Sequence, residues 1–478
     1  MKSSLTSQLI GVLVLAGWLL TTLFAIRVVW KEGPLFPFSD DWAIVPQITG
    51  IRPVNAGWLW AQHNDHRIPI PKLYFVAMVR AFKGDYRGEI MGNIVLLSIS
   101  SGLALYALWK IRGKLCLTDA VIPLSLLCLD QAAIFWGFHF QFTGATTLFV
   151  CFTVAMLCQP RELRGAWAVF GAGCLLLFPL QGMNALFCAP AFGAYLTFRA
   201  LLQFPRDRWL NRGISEEQLR KNRFYAGLSL SAVFLCAGLV VANFIHYKAN
   251  PAVGHAPASN FLQTLLRIFS TSLGGIAAAA YQPYLAISLV ILTGGAVYIA
   301  LRAALKEDQD LIIRLRALSI LVLLVTVCAL LVVVAYGRAA IWNEGMYTHY
   351  STLAEIVMVA AYLSYALISS ISIQRVVPTL LLLGLLGLNA FYAKIFHAYG
   401  QNHRMDLAKV WFEMQSGTSA SVLAERYAKI LFFDESSKAR AAIQYGIVEL
   451  RRAGFELYGP PVKEEAADPQ AIDAIFAP

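Results

Sequence analysis

The sequence predicts an all-α polytopic membrane protein, and three observations carry that expectation. Of 478 residues, 58% are hydrophobic and only 14% are charged. The mean hydropathy is +0.60, and apolar runs long enough to cross a bilayer follow one another along most of the chain. An ordinary soluble domain carries about a quarter charged residues, so that class is excluded. The formal net charge of +11 does not indicate nucleic acid, because Lys and Arg sit in short loops between apolar runs rather than in one basic domain. The charge is topology information, with anionic membrane lipid as the expected partner.

A spanning helix needs about 20 mostly apolar residues. Such runs stand at about 8–30, 90–109, 117–136, 142–159, 165–180, 185–203, 224–246, 282–303, 313–336, 351–371 and 376–396, roughly eleven spans. The first, Leu9 to Trp30, is too long for a signal-peptide core and lacks a small-x-small cleavage site, so it is expected to stay as a signal anchor. Apolar pieces at 68–82 and 258–280 are interrupted by Arg80 and Arg267 and read as juxtamembrane helices, the former in the first extracytoplasmic loop. If the spans alternate, Lys110 to Lys114, Arg161 to Arg164, Arg199 to Arg223, Arg302 to Arg316 and the Arg375 turn share one side. That side is expected to be the cytoplasm, with the N-terminus in and the C-terminus out. The 31–89 segment also carries basic residues, but long loops translocate despite charge.

After Phe396 the composition turns mixed. The expected division is a transmembrane catalytic domain over 1–396 and an extracytoplasmic helical tail over 397–478, with amphipathic helices in Ala424 to Phe455 broken near Asp434-Glu435-Ser436-Ser437. The eight cysteines make no CxxC pair and read as small core residues.

In that topology the unusual polar residues fall on the extracytoplasmic face. Asp40 and Asp41 lie between Phe36-Pro37-Phe38 and Trp42. A carboxylate with apolar neighbours at headgroup depth gains basicity, which suits a general base acting on an acceptor hydroxyl; the plain alternative is a pair of solvated loop aspartates. His63 and His66, three apart with Asn64, Asp65 and Arg67, would share one face of a helical turn. Three roles compete for them: ligation of a divalent metal with an aspartate, hydrogen bonding to sugar or phosphate, or interfacial structure. Arg67 suits phosphate by guanidinium geometry. Arg338 ends one apolar helix, and His349 and Tyr350 open the next; an arginine at that depth pairs with a lipid phosphate or snorkels. His139, Gln141, Gln181 and Asn184 sit at helix ends, where such residues more often cap and bridge helices than bind ligands. His246, His255 and His397 read as structural.

This pattern resembles the C-type (GT-C) superfamily of integral-membrane glycosyltransferases, specifically bacterial members that use polyprenyl-phosphate sugars. The resemblance is carried by Phe38-Ser39-Asp40-Asp41-Trp42 after the first span, by His63-Asn64-Asp65-His66-Arg67, by Gly337-Arg338 and by Tyr350. Asp65 stands where Glu is expected, and His349 stands where Arg is expected. The resemblance implies a helical bundle whose first-loop helices roof a cavity between membrane and exterior. In the implied reaction, a cell-envelope glycan or lipid acceptor attacks the anomeric carbon of a polyprenyl-phosphate sugar with inversion, at the bacterial cytoplasmic membrane. Asp40 would be the base with Asp41 as substitute, Asp65 and His66 would orient acceptor or sugar, and Arg67 and Arg338 would bind phosphate; Trp42, His63, Asn64, His349 and Tyr350, with His139, Gln141 and Asn184 because they share the same side, complete the expected substrate-binding set. The rival readings are a lipid-linked-sugar flippase or transporter, for which Asp130 and Glu355 are the in-span acids, and a polymerase or ligase of lipid-linked polysaccharide.

Overall fold

The computed structural model describes residues 5–64, 66–131, 136–159, 163, 165–203, 215–248, 258–339, 350–432 and 434–462, with the backbone alone at 258–259, 275–281 and 396–399. Among them the regular elements are helices, apart from one isolated bridge. The chain is a polytopic helical membrane protein. In order, the helices are α1 (Leu5–Glu32), α2 (Val45–Thr49), α3 (Ala56–Trp60), α4 (Pro69–Ala81), α5 (Arg87–Arg112), α6 (Val121–Leu126), α7 (Phe140–Cys158), α8 (Gly165–Leu177) and α9 (Met183–Leu201). They continue with α10 (Glu216–Phe244), α11 (Ala258–Ser270), α12 (Gly275–Leu305), α13 (Leu311–Arg338), α14 (Ser351–Leu367), α15 (Ile371–Gln415), α16 (Ala420–Phe432) and α17 (Ser437–Arg452).

Seven of these are long and apolar enough to cross a membrane: α1, α5, α7 with its preceding turn, α10, α12, α13 and α15. Three further expected spans form shorter helices: α8 with 13 residues, α9 with 19 and α14 with 17. Every residue of α14 from Ser351 to Ala366 is buried, so this short helix is surrounded by protein rather than lipid. The small helices α3 and α4 occupy the first loop, as expected of its juxtamembrane elements.

The run 117–136 departs from expectation. It forms a 3-10 turn at Leu117–Ala120 and the six-residue α6, then leaves helical geometry. Its start is tied to the end of α5 by an ion pair between Asp119 and Arg112, and Asp119 also accepts a hydrogen bond from Tyr362. Its continuation reaches Gly137, where an added Cβ would sit 2.1 Å from Glu89 Oε2 at the beginning of α5. The chain therefore passes from one end of α5 to the other between Leu117 and Gly137, and its described part after Leu126 is not helical. Such backbone is tolerated at membrane depth only where protein satisfies it. Gln131 does so: its Nε2 donates to Ser125 O (2.9 Å), to Leu126 O (2.7 Å) and to the Glu355 carboxylate of α14. No Gly or Pro marks the break in Leu126 to Gln131, so hydropathy alone reads straight through it.

At the same end as Gly137, a separate core forms outside the spans. Phe36, Trp42, Val45 and Phe75 of the first loop join Met414 of α15 and Leu431, Ile443 and Leu450 of the last two helices in one cluster. The composition change after Phe396 falls inside α15, a helix of 45 residues, which runs from the apolar part of the chain into this outer core.

Gln131→Leu should lower stability by about 1–3 kcal/mol, because it strips two buried carbonyls and Glu355 of their donor. Thermal unfolding in detergent micelles measures it; an unchanged melting temperature would show that the broken crossing has other support.

Candidate functional site

Asp40, Asp41 and Trp42 belong to a 3-10 turn, Ser39–Ile44, that starts with Ser39 at φ +53°. The two aspartates part company there. Asp41 is buried (4% exposed) and its Oδ2 accepts the Phe38 N–H at 2.9 Å, so it caps its own turn. Burial holds its carboxyl well above the usual carboxylate range; hydrogen bonds from Phe38 and Trp136 partly offset this, and the neighbouring Asp40 charge adds to it. Asp40 keeps a third of its side chain exposed, with Oδ2 4.0 Å from His63 Nε2. Of the pair, Asp40 is the carboxylate open to solvent.

His63 and His66 do not lie on a helical turn. They form an antiparallel bridge, the His63 N–H donating to His66 O at 2.8 Å and the His66 N–H to His63 O at 3.1 Å. Asn64 adopts φ +51°, a left-handed conformation that Asn tolerates better than most residues. Directly opposed residues project their side chains from the same side of the ribbon, so the shared face survives through a different geometry. His66 Nε2 bonds Gln141 Oε1 at 2.8 Å, and the His63 ring lies 5.1 Å from Phe138. Asp65 and His349 lie outside the described residues.

Both histidines thus meet the head of α7. There His139 is buried with its ring 4.8 Å from Trp136 and 5.2 Å from Phe142. Phe142 packs edge-on against Tyr350 at 5.2 Å, and Arg338 Nε donates to the Tyr350 hydroxyl at 3.1 Å. Gly182 completes the group: at φ +119°, its added Cβ would lie 3.7 Å from both His66 Cδ2 and Gln141 Oε1. Asn184 is in the first turn of α9, two residues further on. Gln181 Nε2 donates to Phe140 O at 3.3 Å. The sequence-selected residues at 40, 63, 66, 139, 141, 338 and 350 therefore connect through one aromatic turn.

Two of the expected residues are engaged by protein. Arg67 donates to Trp60 O (2.5 Å), Ile245 O (2.7 Å) and Asn243 O (3.3 Å). The last carbonyls of α10 have no helical partners, and the guanidinium fork serves them. Trp42 is 1% exposed and its indole Nε1 donates to Leu431 O at 3.1 Å, which anchors the turn to α16. Sequence reasoning also passed over Gln62, whose Nε2 donates to Lys248 O (2.6 Å) while its Oε1 accepts from Lys248 N (3.1 Å). An amide matched to a distant backbone has no sequence signature. Among the described residues, no three His, Cys, Asp or Glu side chains gather as a metal-binding group.

No protein-family profile matches the chain, and no curated protein does. Among solved structures, it is similar to the oligosaccharyltransferase of Archaeoglobus fulgidus, determined as a complex with Zn and sulfate, with 12% sequence identity and a TM-score of 0.40. The match covers 78% of this chain and 53% of that enzyme, so the chain spans about half of the enzyme's length.

Asp41→Asn should leave the fold intact, since the amide oxygen can still accept from Phe38. A carboxyl raised on folding contributes stability at low pH that is lost as pH rises through its folded-state value. Wild-type stability relative to Asp41→Asn should therefore fall as pH is raised above the ordinary carboxylate range. Melting curves of both proteins from pH 4 to 8 check this, and parallel curves would contradict the buried-acid assignment.

Proposed function

We propose that the protein is an integral-membrane glycosyltransferase of GT-C type, which moves a sugar from a polyprenyl-phosphate donor to a glycan or lipid acceptor of the bacterial cell envelope. The observation that carries the reading is the gathering, around the head of α7, of a partly exposed carboxylate from the first loop and an arginine from the end of α13. Transfer from a lipid phosphate needs a base on the acceptor side and a cation on the departing phosphate. Asp40, beside His63, is the base. Arg338, steadied by Tyr350, stabilises the phosphate charge, and Arg67 drops out of that role. His66 and Gln141 form a coupled hydrogen-bonding pair for the sugar or acceptor, with His139 and Asn184 alongside.

The site end is read as extracytoplasmic. Lys110 and Arg112 close α5, Arg302 lies in the last turn of α12, and Arg314 and Arg316 lie at the start of α13. A basic excess at those helix ends marks the cytoplasmic side, which puts the N-terminus in and the outer core, including the tail, outside. The division into a catalytic part over 1–396 and a tail from 397 is retained as a functional one.

A second reading, a flippase or transporter of lipid-linked sugars, has one observation in its favour. Asp130 is buried in the broken crossing, next to Gln131, and Gln131 reaches the buried Glu355 of α14. Ionisable residues inside spans beside discontinuous helices are typical of transport sites.

Purified protein in liposomes containing a radiolabelled polyprenyl-phosphate sugar separates the readings. Asp40→Asn should abolish transfer, at least about 100-fold in rate, with insertion and folding unchanged; full activity would remove the base. Arg338→Ala should weaken donor use more than acceptor use, whereas equal losses would remove the phosphate role. In a deletion strain, mass spectrometry should find donor accumulating with a glycan substituent missing. Donor confined to the inner leaflet would favour the flippase.

A further inference from the structure

We propose that the C-terminal helix α17 positions the base: Gly446 seats the Trp42 indole, and through it sets where Asp40 stands. This inference rests on the transferase reading for its kinetic consequence, but not for its geometry.

Gly446 lies inside α17, where glycine costs about 1 kcal/mol relative to alanine. The backbone there does not call for it, since Gly446 is absent from the positive-φ residues. Its neighbour does. A Cβ on residue 446 would stand 2.3 Å from Trp42 Cε3 and 2.6 Å from Cζ3, so any side chain must push the indole away. The same indole is fixed at its other edge by the Nε1 bond to Leu431 O at 3.1 Å, at the end of α16. Trp42 is two residues from Asp40 in one short 3-10 turn, and that turn begins with the strained Ser39 at φ +53°. Internally the six-residue turn has only its own short-range bonds, the Asp41 N–H to Phe38 O at 3.2 Å, the Val45 N–H to Trp42 O and the Asp41 cap, so its position is set by what Trp42 packs against.

The seat itself is held independently of Trp42. Arg451 is buried and donates to Tyr458 O (2.8 Å), Thr418 O (2.9 Å) and Met414 O (3.3 Å), which ties α17 to the end of α15. Tyr458 in turn donates to Gly84 O at 3.1 Å and packs on Phe36 at 5.7 Å. A group added at 446 therefore moves the Trp42 turn rather than α17, and the Asp40–His63 approach of 4.0 Å opens. Displacements of about 1 Å at a reacting group cost on the order of 100-fold in rate.

The test uses the full-length protein in liposomes. Gly446→Ala should lower kcat by about 10–100-fold with donor KM unchanged, and Gly446→Ala combined with Trp42→Phe, whose smaller ring leaves room for the methyl, should recover most of that loss. Carbodiimide-coupled amine labelling of Asp40, read by mass spectrometry, should change in Gly446→Ala and return toward the wild-type rate in the double variant. Trp42→Phe alone should shift the labelling in the same direction as Gly446→Ala, and it serves if Gly446→Ala fails to fold. If the wild type transfers no sugar, the function proposed above fails while the labelling still decides this inference. Wild-type kcat and labelling in Gly446→Ala, or a loss that Trp42→Phe does not relieve, would overturn it.

Discussion

The docking of the first loop onto the head of α7 is the contact on which the site depends. Phe75 stacks on Phe138 at 4.8 Å and Tyr74 on Phe140 at 3.7 Å, so α4 lies flat against the turn that opens α7. Aromatic pairs of this kind add about 0.5–1.5 kcal/mol each beyond their buried area, and both residues of the turn are buried. The same turn carries His139 and Gln141 on its other aspects. One short aromatic segment thus joins loop, bundle and polar side chains, and a shift of its position would uncouple His63 and His66 from Arg338 and Tyr350 together.

That turn can stand where it does because the crossing before it is broken. A continuous helix from 117 to 136 would have spent its length at 1.5 Å per residue, with its residues committed to a spiral. The described part of the segment instead leaves helical geometry after Leu126, and Trp136 and Gly137 stand beside Phe38 of the first loop and Glu89. The cost of irregular backbone inside the bundle is offset by Gln131, an amide whose donor hydrogens are shared among the buried Ser125 and Leu126 carbonyls and Glu355. The outer core then fixes the loop from above, through Trp42 and Tyr458. Membrane crossing, acidic turn and tail are in this sense one mechanical unit.

Much of this was legible in the residues. Long apolar runs announced α1, α5, α10, α12, α13 and α15, because a lipid-facing helix must be apolar over its whole length. The choice of Asp40, His63, His66, Gln141, Arg338 and Tyr350 as neighbours followed from placing polar residues at one set of span ends. What stayed hidden has a physical cause in each case. The break after Leu126 has no local marker, since it is stabilised by a side chain five residues on and by another helix. Arg67 reads as a phosphate ligand because a guanidinium suits phosphate and carbonyl alike, and only the fold brings the end of α10 to it. Trp42 reads as an interfacial anchor, whereas its partners Leu431 and Gly446 lie in the last two helices, far along the chain. The difference between Asp40 and Asp41 was invisible because burial, not chemistry, separates them.

The site proposed above, lined by Asp40 and Arg338, is expected to accept a polyprenyl-phosphate sugar. The most direct measurement is photo-crosslinking with a donor analogue bearing a diazirine on the sugar, followed by mapping of the adducts. Adducts are expected on the 38–42 turn, on the 63–66 bridge and near residues 338 and 350. Adducts confined to the opposite ends of α5, α12 and α13 would contradict it.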